Sequence, residues 1–193
     1  MPAPETKRLF VAIEVPDQVV QALEPVRLSF RDAGLRPVRI EQVHLTLSFI
    51  GDLDARKVEG LSSQLAAIGT RPRLKLSALG VGVFPQKGRT RVGWVGISDR
   101  SGALNRIQNE VAEACRPYAA DREDRGFSAH LTLGRTPKNG RVDEQVIRQT
   151  IERWNGTAFG RWTATEFVLF SSEPDGAGRR YVALQRFPIA AGP

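Results

Sequence analysis

The chain has 193 residues, of which 41% are hydrophobic and 25% charged, with a net charge of +7. This length suits one domain with a real core, and the composition is ordinary for a soluble globular protein. The single cysteine, Cys115, excludes an intramolecular disulfide framework, and the positive charge favours polyanionic partners without proving them.

No segment has the pattern of a membrane span or an export signal. The N-terminal apolar run over 9–15 is too short for a signal peptide and contains Glu14. The chain is therefore expected to be cytoplasmic, with no membrane partner. Cys115 falls in an apolar-periodic segment, which favours a packed side chain over a nucleophile.

Strand and helix patterns alternate along the chain and then begin again after its middle. The first half predicts a strand over 8–15, a helix over 17–34 disturbed at Pro25, a strand over 43–50, a helix over 54–68 and an extended segment over 74–84. The second half predicts a strand over 91–97, a helix over 101–116, a strand over 129–134, a helix over 142–154, and strands over 162–170 and 181–187 joined by a Gly-rich turn.

This repetition predicts one bilobed domain over 1–193, with half-repeats at approximately 8–85 and 90–188. The expected class is α+β, with two pseudo-symmetric lobes, each a largely antiparallel sheet with outer helices. The second strand of each half carries the same tetrapeptide, His-Leu-Thr-Leu, starting at His44 and at His130. The active-site cleft is therefore expected between the lobes.

The duplicated tetrapeptide contains the only two histidines of the chain. Side chains alternate faces along a strand, so the leucines would anchor each strand in its lobe. His44 and Thr46 would then lie on one face, about 7 Å apart, and His130 and Thr132 would do the same. Two such strands would present two imidazoles and two hydroxyls to a shared cleft.

A phosphodiester suits this arrangement. In an in-line displacement the incoming and leaving oxygens lie on opposite sides of phosphorus, so the general base and the general acid must do so as well. Histidine is suitable because its pKa, near 6.5, allows one ring to be neutral and the other protonated close to neutral pH. Thr46 and Thr132 can donate hydrogen bonds to the non-bridging oxygens, and Arg135 can supply a forked cation.

Other interpretations are weaker but stay open on the residues alone. The two strands could be relics of duplication, with histidines retained for packing. A zinc site is disfavoured because two histidines and one distant cysteine have poor ligand spacing. The basic segment 86–91 could follow a phosphate backbone or be a solvated turn. A noncatalytic module that only holds RNA ends is the alternative from another functional class.

The sequence resembles the 2H phosphoesterase superfamily, and in particular its RNA 2′,3′-cyclic phosphodiesterase branch, once called 2′-5′ RNA ligases. The resemblance covers nearly the whole chain and rests on the segments 8–13, 44–51, 84–85 and 130–135, with Ser171, Gly178 and Tyr181. The chain departs from the family where an aromatic residue often precedes the first motif, and at Ala129, where proline is common.

The resemblance implies how the site residues share the reaction. His44 would donate a proton to the departing ribose 3′-oxygen, and His130 would accept one from the attacking water, leaving a 2′-phosphate. Thr46 and Thr132 would hold the phosphate, with Arg135 beside it. No metal or cofactor is implied, the partner is RNA with a 2′,3′-cyclic phosphate end, and a monomer is expected. Reverse 2′-5′ ligation, or a sister activity on cyclic mononucleotides or 2′-5′ oligonucleotides, is also consistent with the family.

Overall fold

The structure is a computed structural model that describes residues 5–68, 73–119, 126–176 and 178–189. The strands of this part are β1 (Thr6–Glu14), β2 (Arg36–Pro37), β3 (His44–Asp54), β4 (Leu74–Phe84), β5 (Val92–Ser98), β6 (His130–Arg135), β7 (Ala158–Ala164), β8 (Glu166–Asp175) and β9 (Gly178–Pro188). Its α-helices are α1 (Asp17–Ala22), α2 (Glu24–Asp32), α3 (Val58–Ala66), α4 (Ala103–Cys115) and α5 (Glu144–Arg153).

All the strands belong to one antiparallel sheet, which consists of two halves. One half has the order β7-β4-β5-β6 and the other β3-β1-β8-β9, while the short β2 pairs with β6. The halves meet between β3 and β6, where Leu45 and Leu131 are the only paired residues. This arrangement confirms the predicted α+β architecture of two antiparallel lobes.

The chain forms one half-sheet as an insertion between the strands of the other. β4 precedes the midpoint of the sequence but pairs with β5 and β7. The C-terminal β8 returns to pair with β1, and β9 pairs with β8. The half-sheet β7-β4-β5-β6 is therefore built from four consecutive strands over 74–164, whereas the other half-sheet combines β1 and β3 from the N-terminal part of the chain with β8 and β9 from the C-terminal part.

The helices tie the two half-sheets together through the core. α2, which leads towards β3, contacts β6, while α4, which leads towards β6, contacts β3. The four leucines of the duplicated tetrapeptides are buried in this core. The described helices have 6 to 13 residues, and none is long and apolar enough to cross a membrane.

Three boundaries differ from the sequence-based expectation. The helix expected over 17–34 is two helices, because Pro25 lies in the first turn of α2, where its missing N–H costs no helical bond. The strand expected over 162–170 is two strands, β7 and β8, separated by Thr165 alone. β3 continues past Gly51, which adopts a φ of +82° at an irregularity in the β1–β3 pairing. The apolar pattern over 162–170 is continuous, so it does not show where the chain leaves one partner strand for another.

The close packing of α2 against the sheet generates a stability prediction at Gly93. A Cβ atom at this position would lie 2.8 Å from carbons of the Phe30 ring, which is fully buried. We expect Gly93→Ala to lower the free energy of unfolding by about 1–3 kcal/mol, because a packed ring must move. Urea unfolding followed by circular dichroism measures this change.

Gly126→Ala is the matched control, because a Cβ there meets no heavy atom within 4 Å. Its free energy of unfolding should stay within about 0.5 kcal/mol of the original. Equal stabilities for the two variants would contradict the packing described at Phe30.

Candidate active site

The pairing of Leu45 with Leu131 brings the two tetrapeptides together. The strands are antiparallel, so continuing this register by one residue sets His44 opposite Thr132 and Thr46 opposite His130. The two histidines thus occupy one diagonal of a four-residue arrangement and the threonines the other. All four side chains are partly exposed, whereas both paired leucines are fully buried.

A β-bulge determines where Arg135 lies. Trp94 of β5 pairs with Thr132, but the preceding residue of β5 pairs with Gly134, so Leu133 is an extra residue without a partner on β5. A bulge of this kind interrupts the alternation of faces. Arg135, three residues after Thr132, therefore emerges on the same side as Thr132, where regular alternation would have placed it on the opposite side.

The first tetrapeptide contains the same bulge at the equivalent position. Ala12 of β1 pairs with Thr46, while the preceding residue of β1 pairs with Ser48, so Leu47 is the extra residue. Phe49 follows Thr46 as Arg135 follows Thr132 in the second tetrapeptide. The two half-sheets therefore direct different residues to equivalent places, an aromatic ring in one and a guanidinium in the other.

Both imidazole rings are oriented by the same local hydrogen bond. Nδ1 of His44 lies 2.7 Å from the carbonyl oxygen of Gln42, and Nδ1 of His130 lies 2.6 Å from that of Ser128. A carbonyl oxygen can only accept, so Nδ1 carries the hydrogen in both rings. In each neutral ring, Nε2 is left as the nitrogen that can exchange a proton with a ligand.

The surroundings of His44 are apolar. Its ring centroid lies 4.9 Å from that of Phe10 and 5.3 Å from that of Tyr181, which it meets edge-on. Burial lowers the pKa of His44 to about 4, and the positive charges of Arg135 and His130 act in the same direction. His44 is therefore neutral at neutral pH in the unliganded protein.

The surroundings of His130 are different. Its ring meets Phe84 edge-on at 5.0 Å between centroids, and Trp94 lies 6.3 Å away. His130 also lines a large cleft, whereas His44 lies beside the lining residues. The two histidines thus share one backbone geometry but differ in their access to the cleft.

The cleft has a volume of about 1450 Å³ and brings together most of the predicted site residues. Thr46, His130, Thr132 and Arg135 line it, and His44 is close enough for its pKa to respond to Arg135 and His130. All five residues selected from the sequence therefore lie in one region. This volume exceeds that of a typical small-molecule site, so the cleft extends beyond the four motif residues.

One extension of the cleft, here called the loop arm, is formed by the segment between β4 and β5 and the segment after β6. Arg89, Arg91 and Lys138 line it. The backbone N–H and the hydroxyl of Thr90 donate to the carboxylate of Glu144 at 2.9 and 2.8 Å. The basic segment over 86–91 is thus anchored at its C-terminal end rather than a freely solvated turn.

The other extension, here called the helix arm, lies between β3 and the C-terminal end of α4. Phe49, Glu113 and Arg116 line it, and Arg116 is paired with Glu113 at 2.8 Å. Cys115 is 1% exposed, and burial raises the pKa of its thiol to about 11, which confirms a packing role rather than a nucleophilic one. No group of three or more His, Cys, Asp or Glu side chains in the described ranges could hold a metal ion.

Sequence reasoning did not assign roles to Phe49 or to the aromatic residues around His44. Phe10 and Tyr181 lie on β1 and β9, far apart in the chain, so their meeting at His44 has no local signal. For Phe49 a signal did exist. Aligning the two tetrapeptides places Phe49 and Arg135 at the same position, each five residues after its histidine.

Known proteins match this chain over most of its length. The family model described as LigT like Phosphoesterase matches twice, over residues 10–94 and 95–181. An RNA 2′,3′-cyclic phosphodiesterase of Archaeoglobus fulgidus is 31% identical, covering 93% of this chain and 99% of its own. The protein of that name in Escherichia coli K12 is 28% identical, with 96% and 98% covered.

Solved structures have the same architecture. E. coli LigT complexed with 3′-AMP superposes with a TM-score of 0.77 at 26% identity, covering 97% of this chain and all of its own. A protein of Thermus thermophilus superposes with a TM-score of 0.72 at 25% identity, covering 94% of this chain and 97% of its own.

The burial of His44 generates a prediction for its titration. By NMR, we expect the His44 ring to titrate near pH 4 in the unliganded protein, well below the ordinary value for histidine. In Arg135→Met this pKa should rise, because a nearby positive charge is removed. It should remain below the ordinary value, because burial is the larger cause. A His44 pKa at or above 6.5 in the unaltered protein would contradict the described environment.

Proposed function

We propose that this chain, which belongs to the LigT-like phosphoesterase family, hydrolyses 2′,3′-cyclic phosphate ends of RNA to 2′-phosphomonoesters. The observation that carries the proposal is the diagonal placement of His44 and His130 around the Leu45–Leu131 pair, each with Nδ1 bound to a backbone carbonyl. A phosphate above this pair would have one imidazole on each side, as an in-line displacement requires.

In the proposed reaction one bond to phosphorus forms and one breaks. His130 takes a proton from water as the water oxygen attacks phosphorus. The bond between phosphorus and the ribose 3′-oxygen breaks, and His44 donates a proton to that oxygen. The products are a 2′-phosphate and a free 3′-hydroxyl. This division of roles follows the family resemblance, and the exposed position of His130 on the cleft is consistent with access of water.

The remaining motif residues suit the charge that shifts during the reaction. Thr46 and Thr132 lie on the second diagonal, where their hydroxyls can donate to the two non-bridging oxygens. Arg135, brought to the same side by the bulge, can pair with the phosphate through its guanidinium group. These groups belong to paired strands of the sheet, so the backbone that carries them is already in place before the substrate binds.

Because the pKa of His44 is low, His44 can act as the general acid only if substrate binding raises that pKa. In the unliganded protein His44 is neutral at neutral pH, whereas a general acid must hold a proton when the substrate is bound. The negative charge of the cyclic phosphate would offset Arg135 and favour protonated His44. Binding of the substrate should therefore be coupled to uptake of a proton at His44.

The same residues could also catalyse the joining of two RNA ends through a 2′-5′ phosphodiester bond. If the 5′-hydroxyl of a second RNA replaces water, His130 takes its proton and the product is a 2′-5′ phosphodiester. The bond to the 3′-oxygen breaks as before, so His44 keeps its role. In dilute solution hydrolysis should prevail, because water is far more abundant than RNA 5′-hydroxyl groups.

We expect a short RNA with a 2′,3′-cyclic phosphate to give a 2′-phosphate in the presence of EDTA. His44→Ala and His130→Ala should each lower kcat/KM by about 10²–10⁴-fold, because each removes a proton-transfer group. Thr46→Val and Thr132→Val should lower kcat by about 10²-fold, because each removes one hydrogen-bond donor. Separation of the 2′- and 3′-phosphate products by chromatography gives both rate and position.

Thr163→Val is the matched control for the threonine variants, because Thr163 is exposed on β7 and does not line the cleft. Full activity in either histidine variant would contradict the mechanism. Activity that EDTA abolishes and zinc restores would contradict a metal-free reaction. Binding of the RNA without turnover would favour the alternative of a noncatalytic RNA-binding module.

The acid role of His44 can be tested by measuring proton uptake. We expect His130→Ala to bind a 2′,3′-cyclic mononucleotide with uptake approaching one proton per molecule at about pH 6, because the phosphodiester itself does not titrate there. Isothermal titration in buffers of different ionisation enthalpy measures this number. The double variant with His44→Gln should take up none. Binding without proton uptake in His130→Ala would require the roles of the two histidines to be exchanged.

A further inference from the structure

The carbonyl groups that orient the two motif histidines are supported in different ways. In the second half-sheet, β5 follows β6 back beyond its first residue. Gly96 pairs with His130, and the backbone N–H of Ile97 donates to the carbonyl oxygen of Ala129 at 2.9 Å. The backbone on the N-terminal side of His130, including the carbonyl group of Ser128 that binds its ring, is therefore held next to β5.

The first half-sheet gives His44 no such support. β1 ends at Glu14, opposite His44, and the chain then turns at Pro16 into α1. The pairing of β3 with β1 therefore stops before it reaches Gln42, whose carbonyl oxygen binds Nδ1 of His44. Gln42 instead ends a single turn of 3-10 helix over Ile40–Gln42. Other contacts have to fix the position of its carbonyl group.

The side chain of Gln42 supplies one of these contacts. Its carboxamide donates to the carbonyl oxygen of Arg179, which lies at the start of β9 and 137 residues further along the chain. The accepting residue is itself anchored, because Nε of Arg179 donates to the hydroxyl of Ser172 at 2.6 Å and the same guanidinium also donates to the carbonyl oxygen of Ser172. Gln42 is therefore bound to an ordered part of the β8–β9 hairpin.

A second contact joins the other end of the 3-10 turn to the same hairpin. Arg39, which precedes the turn, pairs with Asp175 at 2.7 Å. The hairpin also places Tyr181 edge-on to the ring of His44, at 5.3 Å between centroids. The segment before β3 and the β8–β9 hairpin thus enclose His44 together, although they are far apart in the sequence.

We infer that Gln42 is a positioning residue for His44: its carboxamide, bound to the β8–β9 hairpin, keeps its own carbonyl oxygen where Nδ1 of His44 donates to it. The inference rests on the proposed function, because it takes His44 as a proton-transfer group. With Nδ1 fixed as a donor, Nε2 is the nitrogen left to exchange a proton. Gln42 does not line the cleft, so it would act through His44 rather than on the substrate.

The test begins with Gln42→Met, which keeps the length of the side chain but removes its hydrogen-bond donor. We expect kcat for a 2′,3′-cyclic mononucleotide to fall by about tenfold, because the His44 ring is held less often in the productive orientation. KM should stay within about twofold, because no group that lines the cleft has changed. Steady-state kinetics measures both constants.

The pH profile and NMR distinguish positioning from a general structural effect. Burial lowers the pKa of His44, and the hydrogen bond to Gln42 opposes this shift. Loosening the bond should lower the pKa further, so the alkaline limb of the kcat profile should move to lower pH by about 0.5 unit. At neutral pH, ¹⁵N NMR should show His44 as the Nδ1–H tautomer in the unaltered protein and as a mixture with the Nε2–H tautomer in Gln42→Met. The His130 ring should not change.

Gln149→Met is the matched control, because Gln149 is exposed on α5 and lies outside the lining of the cleft. It should leave kcat, the pH profile and both rings unchanged. Arg39→Met removes only the second contact and should give the same changes as Gln42→Met at a smaller size.

Unchanged kinetics and a single His44 tautomer in both variants would overturn the inference. A lower kcat in Gln42→Met with the original alkaline limb and a single tautomer would also overturn it, because the effect would then not pass through His44. If the unaltered protein shows no turnover but the tautomer still changes in Gln42→Met, the contact orients His44 as inferred and the proposed function is wrong.

Discussion

The contact between Leu45 and Leu131 is the constraint on which the site depends. Among the described residues it is the only strand-register pair between β3 and β6, the two strands at which the half-sheets meet. Because both leucines are buried and the strands are antiparallel, the pair sets the histidines on one diagonal and the threonines on the other. A shift of the register by one residue would turn the motif side chains to the wrong face. The helices stabilise this contact reciprocally, since α2 reaches β6 and α4 reaches β3.

The framework is symmetric, but the side chains it carries are not. The two strands share a tetrapeptide, a bulge at the second leucine and a histidine bound to the carbonyl two residues earlier. Because the backbone is symmetric, one imidazole can lie on each side of a phosphate placed between the two strands. The differences lie in the surroundings: aromatic rings bury His44, whereas His130 opens onto the cleft. Two identical residues therefore have different environments, and burial lowers the pKa of His44 to about 4.

Most elements were predictable from the sequence, whereas their partners were not. The amphipathic pattern of α4 and the extended pattern of β4 each match the structure within two residues at either end. The sequence did not reveal that β4 lies in the half-sheet of β5 and β7, because apolar alternation identifies a strand but not the strands with which it pairs. The break at Thr165 was missed for the same reason. Local propensity does not record that the chain leaves one half-sheet for the other.

By itself, the sequence predicted which residues could perform proton transfer and which face of each strand they share. Two histidines and two threonines in repeated tetrapeptides, with leucines between them, are sufficient for that conclusion. Tertiary structure alone decided their mutual placement, since the Leu45–Leu131 register joins residues distant in the chain. It also decided that Arg135 and Phe49 reach the cleft, because a bulge is defined by the partner strand. The low pKa of His44 likewise depends on Phe10 and Tyr181. The residues next to His44 in the sequence do not reveal that distant segments bury its ring. The low pKa of His44 could therefore be inferred only from the folded chain.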